Sequence, residues 1–124
     1  MEKVSTDKAP AAAGPYSQAI KDGGLVYASG QIPVDPATGK VPEDIRDQAR
    51  QALQNLKNVI EASGSSMSDV LKVTVYITDM AAFPEVNSVY GEFFSEPYPA
   101  RSCIGASALP KGVKIEIDAV SRLR

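Results

Sequence analysis

Pro99-Ala100-Arg101-Ser102-Cys103-Ile104, then Leu109-Pro110-Lys111-Gly112, then Val113-Lys114-Ile115-Glu116-Ile117: the fold turns on how these three runs are read. Pro99 confines the residue before it to extended geometry, and Pro110 with Gly112 supplies a break. The spacing therefore predicts two strands joined as a hairpin-like pair. Side chains alternate along a strand, which puts Arg101 and Cys103 on one face, about 7 Å apart, and Ile104 on the other. In the second strand Ile115 and Ile117 form an apolar row, leaving Lys114, Glu116 and Asp118 opposite. Function depends on whether that charged face meets solvent or a cleft.

Upstream, Val70 to Ile77 alternates Leu71, Val73, Val75 and Ile77 with more polar neighbours, a central strand rich in β-branched residues. Between it and Pro99, Asp79 is a candidate cap and Pro84 fits a first helical turn. Phe83, Val86, Val89 or Tyr90, and Phe93 or Phe94 then recur at helical spacing and read as core. The clearest helix runs from Ile45 through Ala49, Ala52, Leu53, Leu56, Val59 and Ile60 to a stop at Gly64, with Glu43 and Asp44 at its N-terminal end. Leu25 to Ile32 reads as a strand, paired through the Lys21-Asp22-Gly23-Gly24 turn with a strand at Tyr16 to Ile20. Gly30 inside it signals a bulge or a close approach by something else. Ala9 to Pro15 is an irregular lead-in, and order is expected everywhere except the first ten residues or so.

The expected architecture is α+β over residues 1–124 as one domain, in the order ββαβαββ, with two helices on one face of a mixed sheet. The other face is left for water or a second subunit, so Val75, Ile115 or their opposite-face neighbours are candidates for an oligomer interface.

Composition narrows the chemistry. The chain has no histidine and one cysteine, which excludes a Ser-His-Asp triad, a Cys-His dyad, an intrachain disulfide and the usual zinc sites. Acid or base work falls to Asp, Glu, Tyr, Lys or Cys, with water as nucleophile or proton carrier. A formal net charge of −2 gives no reason to expect avid binding to nucleic acid or anionic lipid. No apolar run approaches a membrane span and the start does not look like a secretory signal, so a soluble cytoplasmic protein is expected.

Five runs occur together: Gly14-Pro15-Tyr16-Ser17-Gln18-Ala19; Ser29-Gly30-Gln31-Ile32-Pro33; Asn87 with Tyr90 and Phe93-Phe94; Pro99 to Cys103; and Leu109-Pro110 through Ile117. In that order and at that spacing the chain resembles the Rid family of reactive-intermediate (enamine/imine) deaminases over nearly its whole length. The resemblance implies a fold like that of chorismate mutase, a homotrimer with three clefts between subunits, and no cofactor. It implies that Arg101 holds a substrate carboxylate and Glu116 positions or activates water. Tyr16, Ser29, Gly30, Asn87 and Cys103 would line the pocket, Cys103 in a binding role. The implied reaction is hydrolysis of enamines and imines, such as 2-aminoacrylate released by pyridoxal-phosphate enzymes, to 2-keto acids and ammonia. Gly105-Ala106-Ser107-Ala108 departs from the bulkier residues often found there in the family, which bears on substrate range.

Two alternatives accompany that reading. A trimer could bind a carboxylate metabolite without turnover, or act as a chaperone or regulator. Ribonuclease activity, attributed to some family members, is opposed by the missing histidine, the acidic balance and the lack of a basic surface interleaved with aromatics.

Overall fold

Why the sheet is built as it is follows from one strand. Val70–Ile77 (β4) carries Val73, Val75 and Ile77, all fully buried, and takes a place inside the sheet with a neighbour on each side. In the computed structural model, which describes residues 1–124, the other elements are β1 (Glu2–Val4), β2 (Ala19–Asp22), β3 (Leu25–Gln31), α1 (Ile45–Ala62), α2 (Phe83–Phe93), β5 (Ala100–Gly105) and β6 (Ile115–Arg122). The sheet order is β1-β2-β3-β6-β4-β5. Only β4 and β5 are parallel, and α2 makes the crossover between them.

This order corrects the expected hairpin between Pro99–Ile104 and Val113–Ile117. β4 lies between β5 and β6, so the two strands never pair. The Leu109–Gly112 break is real: Lys111 and Gly112 both adopt positive φ, 57° and 68°. It sits in a connection that passes over β4 rather than in a tight hairpin, because burying the β-branched β4 in the sheet interior outweighs local turn chemistry. The strand expected at Tyr16–Ile20 begins instead at Ala19, and the first residues, expected to be disordered, supply β1, which pairs Glu2–Val4 with Ala19–Lys21. The structure thus adds an edge strand ahead of the ββαβαββ order. Buried Gln18 explains how the lead-in is held: its Nε2 donates to the Thr6 and Pro10 carbonyls, and its Oε1 accepts from the Thr6 N–H.

The Gly23-Gly24 turn has positive φ at both residues, 59° and 79°, the combination that matches the twist of a two-residue hairpin. α1 starts at Asp44, whose carboxylate accepts from the Arg46 and Asp47 N–H groups. Its face of Ala49, Ala52, Leu53, Leu56, Val59 and Ile60 is buried across β3 and β6 and beside α2. Each fully buried Leu or Ile there contributes about 1.5–3 kcal/mol relative to exposure. Asp79 caps a short 3₁₀ turn, Met80–Ala82, which runs into α2, and Pro84 occupies the first turn as expected.

Leu71 departs from the expected alternation. The register between β4 and β6 shifts between Val70 and Lys72, turning Val70 inward and leaving Leu71 exposed. Val75 and Ile115, two of the interface candidates, are fully buried under the helices. Their opposite-face neighbours, Tyr76 and Glu116, lie on the uncovered face with Tyr27 and Ile104, which are 48% and 46% exposed.

Candidate functional site

Directly paired strand residues share a face, so the register sorts the candidate residues. Val73 pairs with Arg101 and Val75 with Cys103, which places Arg101 and Cys103 on the helix-covered side, at the edge strand β5. Tyr76 pairs with Glu116, which places Glu116 on the uncovered side. Arg101 and Glu116 therefore stand on strands separated by β4 and project from opposite faces of the sheet.

The first group gathers around Arg101. Its Nη1 donates to Asn87 Oδ1 at 2.7 Å, and its guanidinium carbon lies over the Tyr90 ring at 4.7 Å and the Phe83 ring at 5.1 Å. An open groove of about 460 Å³ adjoins it, lined by Asn87, Tyr90, Gly91, Tyr98, Pro99 and Arg101. Cys103 is half-buried, and burial pushes its thiol up while the nearby Arg101 pulls in the opposite direction with less effect. A raised thiol is protonated at neutral pH and is a poor nucleophile, which fits a lining residue better than a catalytic thiolate.

The second group gathers around Gly30. The register between β3 and β6 breaks between Ala28 and Gln31, so Gly30 lies in the expected bulge. It is also a close approach: a Cβ there would stand 2.8 Å from the Glu116 carboxyl carbon, with Oε2 nearer still. Burial first, and Asp118 second, raise the Glu116 carboxyl above the usual range. The Tyr76 hydroxyl donates to Asp118 Oδ2 at 3.2 Å, with burial first and Asp118 second raising the Tyr76 phenol. Ser29 donates its hydroxyl to the Ser17 carbonyl and is thereby occupied within the chain. Tyr16 is exposed, its hydroxyl accepting a long contact from the Ala13 N–H at 3.4 Å, and it lines a small cavity of about 80 Å³ together with Gly30.

Arg101, Asn87 and Cys103 are thus brought together on one side, and Glu116, Gly30, Ser29 and Tyr16 on another. Helical spacing in the sequence reads Phe83 and Tyr90 as core, and the structure adds their contact with Arg101. Phe83, Asn87 and Tyr90 recur at steps of four and three, one helix face, and that spacing was the available signal. No group of three or more His, Cys, Asp and Glu side chains is arranged to hold a metal, and no helix is long and apolar enough to cross a membrane.

Comparison with known proteins adds an independent line. Residues 6–123 match the family model described as Endoribonuclease L-PSP. A 2-iminobutanoate/2-iminopropanoate deaminase of Salmonella typhimurium is 50% identical over 121 residues, 95% of this chain and 94% of that protein. A RutC family protein of Pyrococcus horikoshii is 51% identical over 121 residues, 97% of this chain and 96% of that protein. The crystal structure of Escherichia coli TdcF with bound serine superposes with a TM-score of 0.96 at 46% identity, covering 100% of both chains.

Proposed function

The chain belongs to the endoribonuclease L-PSP (Rid) family, and from that premise we propose that it hydrolyses small enamines and imines of 2-keto acids to the keto acid and ammonia. Membership and the deaminase-named relatives support imine deaminase activity. 2-Aminoacrylate is the substrate we infer. The observation that carries this reading is Arg101, whose guanidinium is held by one hydrogen bond and two ring faces at the mouth of an open groove. Four of its five N–H donors remain after Asn87 takes one, enough for the paired hydrogen bonds a carboxylate accepts. TdcF, crystallised with serine, is a relative whose ligand carries such a carboxylate.

The proposed sequence balances with one water. The enamine tautomerises to the imine, its methylene carbon gaining a proton from solvent as its nitrogen releases one. Water adds to the imine carbon as the Glu116 carboxylate accepts its proton and hands it to the imine nitrogen, giving the carbinolamine; Glu116 then takes the hydroxyl proton as the carbonyl forms and delivers it to nitrogen as the C–N bond breaks, releasing ammonia. A carboxyl raised by burial is a stronger base once ionised, which suits both transfers.

Because Arg101 and Glu116 face opposite sides of one sheet, we place the cleft between subunits of a homotrimer, Arg101 from one and Glu116 from its neighbour. The test is ammonia or pyruvate release from enzymatically generated 2-aminoacrylate, against the spontaneous rate. Arg101→Ala is expected to cost about 2–4 kcal/mol, roughly thirtyfold to nearly a thousandfold in rate. Co-assembling Arg101→Ala and Glu116→Gln subunits in equal amounts should restore about a quarter of the wild-type clefts. No recovery on co-assembly refutes the shared cleft. No acceleration by the wild type removes the deaminase reading in favour of metabolite binding without turnover.

A further inference from the structure

Resting on the carboxylate-binding reading of Arg101, we propose that Phe83 and Tyr90 are positioning residues that hold its guanidinium in the binding orientation. Three features of α2 carry this. Phe83, Asn87 and Tyr90 occupy one helix face, and Arg101 reaches across from β5 onto all three, by 5.1 Å, 2.7 Å and 4.7 Å. The two rings engage the cation through their faces and consume none of its N–H donors, so they restrict the side chain while leaving its hydrogen-bonding edge free. An exposed arginine held only by Asn87 would sample many rotamers and lose that freedom on binding; the rings remove the loss in advance.

Core packing alone does not account for the arrangement. Tyr90 is buried and stacks on Phe94 at 4.6 Å between ring centroids, yet its hydroxyl has no hydrogen-bond partner. The ring rather than the hydroxyl is therefore what Tyr90 offers within the subunit. Phe83 is only half-buried, packed at the rim of the core with its ring toward Arg101.

The experiment uses the assembled protein and titrates 2-ketobutyrate, a stable keto acid, with pyruvamide as the control that lacks the carboxylate. Phe83→Leu and Tyr90→Leu should each weaken 2-ketobutyrate binding about two- to fivefold, and the double variant about tenfold, with pyruvamide unchanged. Tyr90→Phe keeps the ring and should bind like wild type. In turnover the leucine variants should raise KM and leave kcat nearly unaltered, because the carboxylate contact is made equally before and during reaction. If both leucine variants bind 2-ketobutyrate like wild type while Arg101→Ala does not, the positioning role is wrong and the Arg101 reading stands. Equal loss of both ligands marks a structural role and also overturns the inference. If Arg101→Ala itself binds 2-ketobutyrate normally, the carboxylate reading falls and the positioning role with it. Should Tyr90→Leu fail to fold, Phe83→Leu at its half-buried site decides alone.

Discussion

Replacing Gly30 by alanine should separate catalysis from stability. Gly30 does not occupy the positive-φ region, so the backbone itself admits alanine. The new methyl would meet the Glu116 side chain first, with the carboxyl carbon 2.8 Å away, Cγ 3.1 Å away and Oε2 closest. Ordinary carbon contacts lie near 3.5–4 Å, so the carboxyl group must retreat by about half an ångström or more. Glu116 is a flexible side chain on the uncovered face, and rotating it away costs the fold little. The position of the proposed base is what changes, and a misplacement of about 1 Å can cost on the order of a hundredfold in rate. The expected result is a kcat loss of about ten- to a hundredfold with a thermal midpoint close to that of the wild type. Removing the base in Glu116→Gln should cost roughly a hundred- to ten-thousandfold. Gly30→Ala made in the Glu116→Gln background should then add almost nothing, since the glycine acts through the carboxylate. Wild-type kcat in Gly30→Ala, or a loss that multiplies with Glu116→Gln, refutes the reasoning.

The acid limb of kcat/KM should lie above the ordinary glutamate range, because the proposed base must lose a proton that burial and Asp118 help it keep. Asp118→Asn removes the lesser cause and should move the limb down part of the way, as read in a pH–rate profile; the same change also removes a charge that raises the Tyr76 phenol, whose shift stays on the alkaline side of the profile. The raised carboxyl favours the folded state below the ordinary glutamate range, and this contribution is lost as pH rises through the raised value. Glu116→Gln should therefore be no less heat-stable than wild type at pH 7. Asp69 has the opposite sign: the Arg124 side chain foremost, with Ser66 and Arg122, lowers its carboxyl against the opposing effect of burial. Its contribution is present above the ordinary aspartate range and lost as pH falls through the lowered value, so Asp69→Asn should lower the thermal midpoint at pH 7, with the gap closing in acid.

What was legible in the sequence was whatever rests on short-range pattern. The apolar spacing, with Glu43 and Asp44 at the start and Gly64 as the stop, gave the first helix to within two residues of its end, and β-branched alternation gave Val70–Ile77. Gly30 was read as a bulge or a close approach, and it is both. Partnership between neighbouring strands was legible where a turn announces it, as at Gly23-Gly24 between β2 and β3, but partnership across longer connections was not. Pro110 to Gly112 looks locally like a hairpin turn, and nothing in those residues reveals that β4 will intervene, because neighbour choice is set by burial across the whole sheet. The same limit hid the grip on Arg101. Asn87 is fourteen positions from it, and the two meet only because the helix crossover returns β5 parallel to β4. Leu71 was misread because a bulge reverses alternation without any glycine or proline to announce it.

The division of the candidate residues between two faces also bears on the proposed assembly. β5 has a partner on one side only, leaving its outer backbone groups unpaired beside Arg101. The face bearing Glu116 carries Tyr27 and Ile104 with nearly half of each exposed, and no helix covers it. An open strand edge and an exposed apolar sheet face are both liabilities for an isolated chain. In the proposed trimer one contact answers both: the edge and groove at Arg101 of one subunit meet the uncovered face of the next, and the Glu116 of that face arrives opposite the carboxylate-binding group. Assembly and catalysis would then share one set of residues, so that Ile104→Asp or Tyr27→Asp, on neither half of the site, should abolish turnover by dispersing the subunits while circular dichroism shows the helices intact. An active monomer carrying either change would sink the argument.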